Sequence, residues 1–247
     1  MSKHPRDRYI TVYGRKPVLE VLEASDLEVA RVLVARGARG GVVDQIRKAA
    51  RRRGVEVIDK TAVEVSRISR RPKQDQGVAA DVEAPRMGAL EDWLSEDRNE
   101  SCVLLALDGV TTPANVGMIL RTATVLGLGG VVLARRGSPE IGPLVIKASA
   151  GYAFRARILR CAVIEEGLAG LRAAGFTVYG LSDRGDAILG EAPLATRAVL
   201  LLGNETEGVV AAKDQVDAWL RIPTASEGDS LNVASAAAIA AWTATRR

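Results

Sequence analysis

The feature that most restricts what this chain can fold into is an alternation of strand and helix patterns from Cys102 to the C-terminus. Cys102–Leu107 is a near-continuous apolar run, the signature of a strand buried on both faces. Val116–Leu126 follows with helical spacing, and Gly130–Ala134 returns to strand. The alternation continues with a helix over Gly167–Ala174, strands over Phe176–Leu181 and Ala198–Leu202, and a terminal helix over Val233–Ala244. Strands and helices in this order predict an α/β domain on a mostly parallel sheet with both faces covered.

The first third reads as a second, smaller α/β unit. The pattern predicts a helix over Arg15–Ala24, a strand over Val29–Ala35, a helix over Asp44–Arg53 and strands over Val55–Ile58 and Gly77–Val82. Residues 84–98 contain Pro85, Gly88 and the acids Glu91, Asp92, Glu96 and Asp97, a composition that suits a linker, with room for a short helix around Trp93. The expected organisation is therefore a small domain over 1–83, a linker over 84–98 and a larger domain over 99–247.

Charge divides along the same line. Residues 1–83 hold 18 Lys and Arg against 12 Asp and Glu, whereas residues 84–247 hold 16 against 18. This asymmetry suits contact with phosphates, with Arg15, Lys16 and the consecutive Arg51, Arg52 and Arg53 as candidates. A solvated positive surface would give the same totals, and the three arginines could equally satisfy helix-terminal carbonyls.

Other features exclude function classes. His4 is the only histidine, which removes a histidine-dependent triad, an H-E-x-x-H zinc site and an internal histidine base. Cys102 and Cys161 stand too far apart for a C-x-x-C motif and read as plain buried side chains. No apolar run approaches the roughly 18 residues of a membrane span, and the polar start lacks a signal-peptide core. A cytoplasmic protein is expected.

Three strand-to-helix loops carry unusual polar content, and ligands of parallel sheets gather where such loops meet. The first runs from Asp108 to Ala123 and holds Asn115, Gly117 and Arg121. Asn115 stands where a helix N-cap would, and Arg121 lies among Ile119, Leu120 and Val125, where a guanidinium needs a carboxylate or phosphate partner. The second is Leu202-Gly203-Asn204-Glu205-Thr206-Glu207-Gly208, delivered by a buried strand. The third starts at Ile222-Pro223 and ends in Ser230-Leu231-Asn232-Val233, where Ser230 or Asn232 could cap the following helix. No G-x-G-x-x-G follows a strand, and neither a P-loop nor G-x-S-x-G is present.

Taken together and in this order, the loops resemble the three signature motifs of the SpoU (TrmH-like) branch of the SPOUT methyltransferases. Asn115, Gly117 and Arg121 match the first, Gly203 through Gly208 the second, and Ile222-Pro223 with Ser230–Val233 the third. Lys147-Ala-Ser-Ala-Gly151 is similar to a further stretch of the family. Thr224 and Ser226 depart from the usual Met and Gly, and Tyr152 replaces a smaller residue. In the first third, Tyr13–Val18 and Gln76-Gly77-Val78 resemble the accessory domain of ribosomal-RNA members, with Asp75 where that domain usually has histidine.

The resemblance implies a deep trefoil knot, a homodimer formed through the C-terminal domain, and S-adenosyl-L-methionine held between the second and third loops. Leu202, Gly203, Asn204, Gly208, Ile222, Pro223, Ser230, Leu231 and Asn232 would form the cofactor site. The implied reaction is methyl transfer to a ribose 2′-hydroxyl, with 23S ribosomal RNA favoured by the accessory domain. Arg121 is the catalytic residue favoured in the branch. Arginine, with an intrinsic pKa above about 12, is a poor base, so Arg121 is expected to bind a phosphate and stabilise the developing alkoxide. Asn115, Glu205, Ser230 and Asn232 would position it, the ribose and the cofactor. No metal is implied. The alternatives are a transfer-RNA enzyme, an antibiotic-resistance enzyme acting on ribosomal RNA, and a catalytically silent RNA-binding dimer.

Overall fold

A computed structural model describes residues 8–96, 101–191, 193–225 and 230–246. His4, Ser226 and Asp97 lie outside the described residues. The chain divides into two compact units, one reaching to Pro85 together with Ile141–Pro143, the other running from Arg86 onward.

The first unit comprises β1 (Tyr9–Tyr13), α1 (Arg15–Glu23), β2 (Val29–Ala35), α2 (Gly41–Arg52), β3 (Glu56–Lys60), α3 (Ala62–Ser69) and β4 (Val78–Glu83). Its sheet has the order β1-β4-β2-β3, with β4 antiparallel to both neighbours and β2 parallel to β3. Val65 of α3 packs with Leu33, Ala35 and Ala79 on one face of the sheet, and α1 packs against α2. Thr61 and Glu64 start α3 with a reciprocal capping box. Backbone and side-chain hydrogen bonds from Thr61 hold the Glu64 carboxyl down at about 2.

Arg53 has a specific structural task here. Its guanidinium donates to the carbonyl oxygens of Val21, Leu22 and Ala24 at 3.2, 3.2 and 2.8 Å, and also to that of Leu27. It thus satisfies the C-terminal carbonyls of α1, which no helical turn follows. This removes Arg53 from the expected RNA-facing set, because a guanidinium committed to four carbonyls is not presented to a phosphate.

The second unit comprises β5 (Met87–Ala89), α4 (Leu90–Leu94), β6 (Cys102–Leu107), α5 (Pro113–Val125), β7 (Gly130–Ala134), α6 (Pro143–Ala148), β8 (Ile158–Cys161), α7 (Ile164–Ala173), β9 (Thr177–Leu181), β10 (Ala187–Ile188), β11 (Arg197–Leu202), β12 (Ala218–Arg221) and α8 (Val233–Thr245). Its eight strands lie in the order β10-β12-β9-β11-β6-β7-β8-β5, and each neighbouring pair is parallel. Leu104, Leu105, Ala106 and Leu107 are all buried, as are Val199, Leu200 and Leu201, so β6 and β11 are covered on both faces. Cys161 is buried too, and burial pushes its thiol up to about 11.

The expectation of a linker over 84–98 fails for most of that segment. Met87–Ala89 pairs in parallel with β8 as an edge strand, and Leu90 and Trp93 of α4 enter the core beside Leu168 and Phe176. The unit boundary falls at Pro85 instead. Helix α5 also begins earlier than the apolar spacing suggested. Thr112 is its N-cap and Pro113 its first residue, which leaves Asn115 inside the first turn and not at the cap. Among the described residues no helix is long and apolar enough to cross a membrane.

The carbonyl cap gives a direct test. Arg53→Met keeps the aliphatic stem and removes the donors, so it should destabilise the protein by about 1.5–3 kcal/mol. Urea unfolding followed by circular dichroism would register an earlier midpoint. An unchanged midpoint would mean that water serves the α1 carbonyls equally well.

Candidate functional site

Chain order fixes where the polar loops converge. From β6 the chain moves outward on one side of the sheet to β7 and β8, then returns on the other side to β9 and β11. The β6–β11 boundary is therefore a topological switch point, with a crevice at the strands' carboxyl ends. The loops after β6, β9, β11 and β12 all open at that edge.

Asp108 ties two of these loops together. It is buried at the end of β6, its amide donates to the Leu202 carbonyl at 2.8 Å, and its Oδ2 accepts from the amides of Val210 (2.8 Å) and Ala212 (3.2 Å). The loop between is closed on itself. Asn204 and Gly208 exchange backbone hydrogen bonds at 3.0 and 3.1 Å, and Asn204 Oδ1 accepts from the amides of Thr206 and Glu207. A β-carbon on Gly203 would collide with the backbone of Gly208 and Val209. Gly203 and Asn204 thus shape a turn that projects Glu205.

Asn115 receives that projection. Its Nδ2 donates to Glu205 Oε1, and its Oδ1 accepts from Asn232 Nδ2 at 3.2 Å. Asn232 Oδ1 in turn accepts from the amides of Ala234 (2.9 Å) and Ser235 (3.3 Å), which makes it the N-cap of α8. The directions are mutually consistent, since a carboxylate only accepts and helix-start amides only donate. One residue from each of the three loops is therefore joined in a single relay, and Asn232 serves both as helix cap and as site residue.

Helix α5 is held in place by close packing on the face opposite Asn115. A β-carbon on Gly117 would lie 2.6 Å from both Ala148 Cβ and the Val145 carbonyl oxygen. Ser149 is fully buried there, donates to the Ile146 carbonyl and accepts from the Ala153 amide. The Lys147–Gly151 run is thus the floor beneath α5.

A cavity of about 660 Å³ lies beside the relay, within the size range of small-molecule sites. Leu202, Gly203, Asn204, Gly208, Ile222, Ser230 and Leu231 line it, together with Glu205. Pro223 and Asn232 do not. Arg121 stands apart from both the relay and the cavity lining. It is exposed, and among the described residues its guanidinium meets the Tyr152 ring, 5.9 Å from the centroid, and no carboxylate. Lys16, Arg51 and Arg52 are exposed in the first unit, whereas Arg15 donates to the carbonyls of Gln76 and Arg39.

Sequence reasoning missed part of the lining. Ser182, Asp183 and Arg184 follow β9, and Lys213 and Trp219 also face the cavity. Gly180 makes room for Trp219, whose ring would lie 2.6 Å from a β-carbon at that position. The signal was present in principle, because β9 was legible as a strand and its carboxyl-end loop belongs to the same edge. Among the described residues no group of three or more His, Cys, Asp or Glu could hold a metal.

The cap half of the relay can be measured without any ligand. Asn232→Ala should cost about 1–2 kcal/mol of stability through the lost N-cap. Asn232→Ser, which keeps a capping oxygen, should recover most of this in the same thermal melts.

Comparison with known proteins agrees with this geometry. The model of the SpoU rRNA Methylase family matches residues 102–242, and that for RNA 2′-O ribose methyltransferase substrate binding matches residues 11–88. The 23S rRNA (guanosine-2′-O-)-methyltransferase RlmB of Xylella fastidiosa is 30% identical over 239 residues, covering 96% of each chain. The AdoMet-bound rRNA methyltransferase from Sinorhizobium meliloti has 28% identity and a TM-score of 0.64, over 97% of this chain and 87% of that one. The SpoU methyltransferase AviRb from Streptomyces viridochromogenes, solved with AdoMet, shares the fold at a TM-score of 0.67 and 24% identity, over 96% and 89%. The chain belongs to the SpoU rRNA Methylase family.

Proposed function

We propose that this chain methylates a ribose 2′-hydroxyl of 23S ribosomal RNA with S-adenosyl-L-methionine, working as a homodimer. The observation that carries the reading is the Glu205–Asn115–Asn232 relay beside a ligand-sized cavity at the sheet's switch point. The substrate-binding match over residues 11–88 and the Xylella relative support ribosomal RNA over transfer RNA.

The cavity's donor set fits the cofactor. Leu202, Ile222 and Leu231 offer an apolar slot for adenine, and Gly203 beside them lets the second loop fold tightly enough to line it. Asp183 and Glu207 can meet the cationic amino end, and Arg184 and Lys213 the carboxylate. Asn204 and Gly208 hold the turn, Pro223 stiffens the backbone after Ile222, and Ser230 faces the ligand. When bound, S-adenosylmethionine supplies a methyl group on a sulfonium, already an activated donor.

Two tasks fall to the protein's own residues. Orienting the ribose in line removes part of the barrier, about 7–11 kcal/mol at the favourable limit. Glu205 uses one acceptor site on Asn115 and keeps others for the ribose hydroxyl, while Asn115 and Asn232 fix its direction. Arg121, without a carboxylate partner among the described residues, takes the substrate phosphate and stabilises the developing oxyanion. The Tyr152 ring under its guanidinium steadies it by a cation–π contact.

The dimer reading rests on exposed apolar side chains. Met118 and Val125 are 40% and 60% exposed on α5, and Ile239 and Trp242 are 40% and 51% exposed on α8, which packs against α5. An isologous interface would cover such a patch. The trefoil knot that goes with the family resemblance belongs to the same reading.

Methyl transfer from labelled S-adenosylmethionine to unmodified 23S and transfer RNA, followed by nucleoside analysis, tests the proposal. A 2′-O-methyl nucleoside should appear in 23S RNA. Label in neither RNA, naked or assembled into particles, would overturn it. Arg121→Lys should lower kcat by about 10²-fold or more and leave cofactor affinity within about twofold, because lysine keeps the charge but loses the fork.

A further inference from the structure

The positive bias of the first unit is concentrated at one end of its sheet. β1 and β2 both run antiparallel to β4, and β3 runs parallel to β2. The carboxyl ends of β1, β2 and β3 therefore meet the start of β4. Hydrogen bonds lock these segments together. Arg15 Nε and Nη1 donate to the carbonyls of Gln76 (3.4 Å) and Arg39 (3.2 Å), Ala35 N to Gly77 O (2.8 Å), and Arg36 N to Lys60 O (2.6 Å).

Lys16, Arg36, Arg39, Arg71 and Lys73 are all exposed on these segments. The single acid within 14–16, 36–40 and 70–77 is Asp75, and it is turned inward. It is 3% exposed and accepts from the hydroxyls of Ser66 and Ser69 and from the Gly77 amide. Asp44 and Asp59 are also exposed at this end and Glu64 partly so, but Asp59 pairs with Arg47 and Glu64 with Lys60, so the face keeps a net positive charge that favours a polyanion. Helix α1 also begins at this end, with a glycine N-cap, no side-chain cap and no acid in its first turn, which adds partial positive charge.

The far end of the unit is different. It carries exposed Glu28 and Glu56 near Arg51 and Arg52, with Arg53 committed to carbonyls. The length of α2, about 18 Å, separates the two ends.

We propose that the basic end is a docking face for RNA phosphates, in which Lys16, Arg36, Arg39, Arg71 and Lys73 supply the electrostatic grip and the Arg51–Arg53 run does not. The inference rests on the RNA-substrate reading above and names the surface that engages that substrate. The face segments hold no aromatic residue on which a base could stack. Contact is therefore with the backbone, and it sets affinity without choosing the target nucleotide.

The test uses the full chain and a 23S RNA transcript, with filter binding across a potassium chloride series and methyl transfer on the same RNA. R36Q/R39Q/R71Q/K73Q should weaken binding at least about tenfold at moderate salt. It should also flatten the log K against log salt slope by about 3–3.5, since each of the four phosphates left without its cation takes roughly 0.7–0.9 off the slope. KM for RNA should rise while kcat at saturating RNA stays within about twofold. R51Q/R52Q should stay within about twofold of the parent, and R36K/R39K/R71K, which keeps the charges, should bind within about threefold. Equal losses in the two glutamine variants, or a loss of affinity without a change in slope, would overturn the proposal. A parent protein that binds RNA without methylating it would overturn the functional reading instead, and the slopes would still decide the face.

Discussion

The site depends on the carboxamide of Asn115, which has a donor at one end and an acceptor at the other and uses both. Its donor meets the Glu205 carboxylate, and its acceptor meets Asn232, whose own oxygen is committed to the first amides of α8. An aspartate at this position would set carboxylate against carboxylate, and a leucine would remove both hydrogen bonds that hold the exposed Glu205 and Asn232 in place. The loops after β6, β11 and β12 are far apart in sequence, and this one side chain makes their geometry a single arrangement.

That arrangement is only possible because the parallel sheet delivers all three loops to one edge. Glycines then permit approaches that a side chain would forbid. Gly203 lets the turn fold onto its own backbone, Gly117 lets α5 lie on the Val145–Ser149 floor, and Gly180 admits the Trp219 ring. Asp108 adds a buried anchor that fixes where the second loop leaves β11. Packing and polar satisfaction agree at this edge, as expected where local and tertiary preferences reinforce each other.

Much of this was legible in the sequence because a polar loop next to a fully apolar strand is conspicuous. The three loops stood out in that way, whereas the site roles of Asn115, Glu205 and Asn232 came from the family resemblance, and β6 and β11 were plain from their leucines and valines. Other features were not legible, for physical reasons. The partners of Arg53 are carbonyls of α1 and of the turn after it, 26–32 residues earlier in the chain and invisible to any local pattern. β5 hides behind Pro85 and Gly88, and the short helix expected around Trp93 exists as α4 but sits in acids that resemble a linker, while Leu90 and Trp93 do the burying. The basic end of the first unit is assembled from three separate segments, whereas Arg51–Arg53 drew attention only because its charges are consecutive.

The most direct test of the central claim is a double-mutant cycle of Asn115→Ala and Glu205→Ala, read in single-turnover methyl transfer at saturating cofactor and RNA. If the relay acts as one unit, the double variant should lose little more activity than the worse single variant, as groups that work together do. Losses that multiply would mean that Asn115 and Glu205 act independently, and would contradict the account.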